Sequence, residues 1–104
     1  MATDQYHEPP SELSSEIRTF ARMIASLIEE AEAIGWYEQR LFLETDQQAR
    51  AIMQNAQKEE FKHFGMDLEF LIRNKKEWAT ILRGIVFKDG DIVANAEKSE
   101  KRAN

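Results

Sequence analysis

Cysteine is absent from the 104 residues, which excludes disulfide staples, thiolate metal sites, iron–sulfur ligation and thiol nucleophiles in one step. Any metal site must therefore be built from oxygen and nitrogen donors. Glycine and proline are scarce, at four and two residues, too few for the turns of a β-sandwich. At 42% hydrophobic and 32% charged residues, the chain is too apolar to stay disordered, so helices are the economical reading. Positive charge is also short. Lys and Arg number 14 against 19 Asp and Glu, for a net charge of -5, which disfavours a nucleic-acid partner and makes a cation easier to accommodate. Long apolar runs are missing, so no membrane span is expected. The opening MATDQYHEPP is polar and acidic where a signal peptide needs a basic start and an apolar stretch, and the expectation is a soluble, unexported, cytoplasmic protein.

What is present is helical periodicity in a chain with room for one domain. Residues 1–10 lack a pattern and end in Pro9 and Pro10, reading as a flexible leader before a domain over 11–93. Ser11 or Ser14 can cap a first helix. From Ile17 onward Phe20, Met23, Leu27, Glu30, Ile34, Tyr37 and Leu41 recur at spacings of three and four, a heptad seam with Glu30 as its exception. The helix is expected to end near Glu44, where Thr45 and Asp46 give a short break and a new cap. A second helix then runs from about residue 46 to Asn74, with Met53, Ala56, Glu60, His63, Asp67 and Phe70 at the same spacing. A short third helix is expected through Trp78, Ile81 and Leu82, closing at Gly84. An Asp-Gly turn falls within 86–92, and residues 94–104 read as a charged, flexible, solvated tail.

A helix of about thirty residues is roughly 45 Å long, so two of them make a thin rod that can cover only one stripe of each other. Ile24, Ile28 and Ala31 lie beside the Leu27–Ile34 seam, and this surplus asks for another chain. On periodicity alone the pattern fits a metal-free helical interaction or adaptor protein.

The ionisable seam positions point elsewhere. Burying an unsatisfied polar group costs about 1–3 kcal/mol and a charge more, yet Glu30, Glu60 and His63 all sit where the pattern assigns core. An isolated ExxH on a helix is a weak signal, usually a rim carboxylate neutralised by Lys or Arg. Register strengthens it. With the turn at Thr45, residues whose numbers sum to about 90 lie level across the hairpin, so Glu30 meets Glu60 and His63 follows one turn along. A ferritin-like di-iron bundle takes one Glu from each of two helices and an ExxH from each of the other two. One chain supplies half of that set, and two copies about a two-fold axis complete it. Carboxylate and imidazole donors suit iron or manganese, with zinc as a competitor. Asp67, at i+4 from His63, is either the acceptor for the imidazole N–H or an ordinary surface carboxylate.

The run EEAEAIGWYEQ at 29–39, followed by KEEFKH at 58–63, resembles the two signature segments of the encapsulated ferritins, with similarity extending from His7 to Val93. The resemblance implies a ferroxidase centre at a subunit interface, formed by Glu30, Glu60 and His63 of two chains and holding two irons per subunit dimer. It further implies Tyr37 and Trp36 close to that centre, and Glu29 and Glu32 where iron or other divalent metals enter or are held. The implied assembly is a homodecamer, a ring of five dimers, each forming a ferritin-like four-helix bundle. Such proteins oxidise iron, do not mineralise it alone, and work inside an encapsulin nanocompartment to which a C-terminal peptide docks them. Residues 97–104, EKSEKRAN, lack the apolar character expected of that peptide, so either the chain is shortened or targeting differs.

Overall fold

The computed structural model describes residues 5–104. The first four residues of the expected leader lie outside them. Four helices and no strand occur among the described residues: α1 (Ser15–Leu43), α2 (Gln47–Arg73), α3 (Lys76–Arg83) and α4 (Ile92–Ala103). The all-α architecture read from the sequence holds. The chain divides into two compact units, one ending at Glu69 and the other spanning Phe70–Asn104.

The first unit is a helical hairpin. A single 3₁₀ turn over Pro10–Glu12 precedes α1. Proline is favoured at this position because the missing N–H would find no partner there. Arg18 Nη1 ties the turn to α1 by donating to Pro10 O at 2.9 Å and Leu13 O at 2.7 Å. Of the two candidate caps, Ser14 is used, its hydroxyl accepting from Ile17 N at 3.1 Å. At the other end α1 stops because Glu44 turns extended. The connection is closed by side chains. Glu44 Oε2 accepts from Asp46 N at 3.0 Å, Asp46 Oδ1 caps α2 through Ala49 N at 2.9 Å, and Arg50 Nη1 reaches back to Leu41 O and to Glu44 O.

The hairpin hides little of its apolar surface, as two helices must. Up to Glu69, Leu41 is the one buried hydrophobic residue among those described, while Ile17, Trp36, Phe42, Leu43, Ile52, Phe61 and Met66 are exposed; Leu71, in the last turn of α2, is fully buried.

In the second unit α3 carries the expected short helix and ends at Gly84. A turn through Phe87 (φ 63°) and Gly90 (φ 97°) follows. Residues 94–104 differ from the flexible tail expected of them, because α4 takes in all but the last. Asp91 caps it by accepting from Ala94 N at 2.8 Å. Good helix formers follow, and Lys101 and Arg102 in the last turn complement the helix dipole. Charge correctly marked the segment as mostly solvated, which is a different property from being unstructured. α4 packs on α3 through Ser99, buried to 1% exposure, whose Oγ contacts Ile81 O at 2.6 Å and Thr80 O at 3.1 Å.

Candidate metal centre

Equal rise along both helices keeps the register close to the expected arithmetic. Gln57 Nε2 donates to Ile34 O at 3.2 Å and to Glu38 Oε1 at 2.9 Å, so residues summing to 91 and 95 meet. At the level of Glu30, α2 presents Glu60 and His63, and one donor atom from each of the three lies within 4.8 Å of the other two. Two ligands at about 2.0–2.4 Å from one ion can be at most about 4–5 Å apart, so the three side chains have the spacing of a single cation's donor set. All three are half-buried. His63 Nδ1 stands 3.2 Å from Glu60 Oε1. With the proton on Nδ1, the ring donates to Glu60 and keeps the Nε2 lone pair for a metal.

Electrostatics mark Glu30 as the unusual member. Its pKa is pushed up to about 7, first by burial and then by the adjacent Asp67 carboxyl. Glu60 adds to the rise and His63 opposes it. Glu30 Oε1 and Asp67 Oδ2 are both withdrawn from solvent without a hydrogen-bond partner. A proton held between the two carboxyls satisfies both oxygens, and this hydrogen bond to Asp67 is the second cause of the raised Glu30 pKa; a divalent ion can take the place of that proton. The donor set and the orphaned oxygens therefore fit a hard to borderline metal.

Asp67 takes a role that spacing alone did not single out: it stands beside Glu30 across the hairpin, while the imidazole contact goes to Glu60. Gln57 was missed altogether. Its signal was its place three residues before Glu60, on the stripe that continues through Phe64, Asp67 and Leu71. Glu59, next to Glu60, is turned away from the group into an exposed pair with Lys62 at 2.9 Å, which holds its carboxyl below the usual range.

The other sequence-predicted residues do not join the group of three. Glu29 is exposed and Glu32 half-buried. Trp36, 49% exposed, lines an open hollow with Gln39, Arg40 and Leu43. Tyr37 is half-buried, with the Arg40 guanidinium 5.3 Å from its ring centroid.

A helical hairpin that gathers two carboxylates and an imidazole from facing helices is of the ferritin-like class. Residues 5–89 match the EncFtn-like family model, and the chain belongs to that family, as the segments at 29–39 and 58–63 implied. It is 43% identical over 96 residues to a ferritin-like protein of Thermotoga maritima, covering 92% of this chain and 84% of that one. It is 40% identical over 93 residues to an encapsulated ferritin-like protein of Rhodospirillum rubrum, covering 89% of this chain and 66% of the other. A crystal structure of a Nitrosomonas europaea protein superimposes with a TM-score of 0.81 at 37% identity, over 86% of this chain and 98% of that one. Among the described residues no helix is long and apolar enough to cross a membrane.

Proposed function

We propose that the protein is a ferroxidase, oxidising Fe(II) to Fe(III) with dioxygen at a di-iron centre shared between two copies of the chain. The observation that carries this reading is the convergence of Glu30, Glu60 and His63 to within 4.8 Å. One chain gives two carboxylates and one imidazole, and two chains about a two-fold axis give four and two, the ligand count of a ferritin-like di-iron bundle. The exposed apolar residues of the hairpin supply surface for the second copy to cover.

Fe(II) is the substrate. Each ion gives one electron, so a pair held together gives dioxygen two at once. The carboxylates favour Fe(III) because their negative charge stabilises the more highly charged product. Glu29 and Glu32 would hold incoming iron, with Trp36 and Tyr37 near the centre in the assembled protein. Other divalent ions would compete at the uptake position. Dimers would assemble into a ring of five, and the oxidised iron would be delivered for storage within an encapsulin shell. The name of the Rhodospirillum rubrum relative, an encapsulated ferritin-like protein, supports the last step.

Oxidation of Fe(II) in air, followed by Fe(III) absorbance, tests the reading. The parent should exceed the protein-free rate, and Glu30→Ala, Glu60→Ala and His63→Ala should each lower it at least tenfold. Equal rates in all four proteins would remove the assigned centre, and a parent that neither binds nor oxidises iron would leave the metal-free adaptor reading in its place. Loading with excess iron in the absence of a shell should precipitate it, since an open ring has no enclosed volume.

A further inference from the structure

Gln57 is the polar residue that the hairpin has least reason to bury. It is 8% exposed, and its carboxamide bonds across the hairpin to Ile34 O and Glu38 Oε1. Glu60 lies three residues after Gln57, and Glu30 four residues before Ile34. At about 1.5 Å of rise per residue, this bridge is one helical turn from the carboxylate–imidazole group. Arg50 also bridges α1 and α2, to Leu41 O and Glu44 O, but ten residues before Glu60 and at the connection itself.

A leucine of similar volume at position 57 would bury apolar surface and leave no amide to desolvate, so stability alone does not call for glutamine here. The amide supplies direction. Apolar side chains pack acceptably over a range of axial offsets, whereas a carboxamide that must reach one carbonyl and one carboxylate fits a single offset. A lone polar residue in an apolar seam is known to act in this way, fixing register. Metal coordination tolerates errors of only a few tenths of an ångström, so an axial slip of one residue would spoil the donor set.

We infer that Gln57 is a positioning residue: through Ile34 O and Glu38 Oε1 it sets the axial register of α1 against α2, and with it the level at which Glu30 meets Glu60 and His63. The inference rests on the metal-binding reading of that group. The absence of native cysteine allows a direct measurement. Spin labels attached through Arg22→Cys and Gln54→Cys, both exposed, report the axial offset of the helices when the labelled chain is diluted into unlabelled protein. Co(II) absorption reports the donor set.

Gln57→Leu should keep or raise the melting temperature while broadening the label distances and weakening Co(II) binding by about tenfold or more. Gln57→Glu places two carboxylates together and should give the same losses. Adding Glu38→Gln restores a donor facing an acceptor at one of the two bonds, while Ile34 O still lacks its donor, and should recover part of the affinity even where the leucine variant does not fold. Parental label distances or parental Co(II) affinity in Gln57→Leu would overturn the inference, as would a double variant no better than Gln57→Glu. A lower melting temperature with parental affinity in the folded fraction would mark Gln57 as merely structural, overturning it also. If the parent itself binds no Co(II), the metal reading fails instead, and the label distances still report whether Gln57 sets the register.

Discussion

Glu30 on α1 and Asp67 on α2 bring their carboxyls together across the hairpin, and each keeps one oxygen withdrawn from solvent without a hydrogen-bond partner. The residue that belongs to the three-donor group is therefore also the residue whose charge the metal-free fold tolerates least. Protons and metal ions compete for the same oxygen.

This competition fixes the sign of two pH effects. Glu30 titrates near 7 in the folded chain against an ordinary value of 4.5, so its contribution to the stability of the metal-free protein is fully present below pH 4.5 and is lost as pH rises through 7. Metal binding runs the other way, because the ligand must be ionised, and should weaken as pH falls below 7. Asp67→Asn removes the neighbouring charge and offers an amide donor to the orphaned oxygen, so the pH at which binding is lost should move down. Thermal melts of the metal-free protein and Co(II) titrations over pH 5–8 check both signs. A shift to higher pH in Asp67→Asn would contradict the assignment.

If the centre is shared between two chains, metal and assembly are linked. Four carboxylates around a two-fold axis repel one another when metal-free, and a divalent ion bound by both chains relieves this and stabilises the associated state by mass action. Iron should shift native mass spectra toward the dimer and larger ring, and chelator or acid should reverse the shift. Glu60→Ala removes one charge from each side, so its metal-free form should associate at least as well as the parent and gain nothing from iron. A parent whose size distribution ignores metal would place the whole site within one chain.

The α3–α4 contact has its own test. Gly84 is buried, and a Cβ there would be driven into the Ser99 side chain. Gly84→Ala should destabilise the Phe70–Asn104 unit by about 1–3 kcal/mol through overpacking. Ser99→Ala, which loses the hydroxyl contacts to Thr80 O and Ile81 O, should cost about 1 kcal/mol. Faster hydrogen exchange of the α4 amides, with the α1 amides unchanged, is the expected signature.

The sequence by itself determined the first three helices, the level at which α1 and α2 pair, and the cap of α1 to within Ser11 or Ser14. Spacings of three and four define a helix face, Ser14 and Asp46 are side chains that cap, and equal rise along two antiparallel helices makes register a matter of adding residue numbers. That was enough to bring Glu30, Glu60 and His63 together on paper, and two family segments added the class of protein. Only the tertiary structure decided that Asp67 stands beside Glu30, that Gln57 bridges to Ile34 and Glu38, and that Met66 faces out. The reason is rotation. Each residue turns a helix by about 100°, so an error of one position in the inward face exchanges a buried side chain for an exposed one, and only the packed partner helix fixes that angle. The same limit applied to α4, where composition reported solvation and the Gly84–Ser99 contact, invisible in either segment alone, gave the helix its place.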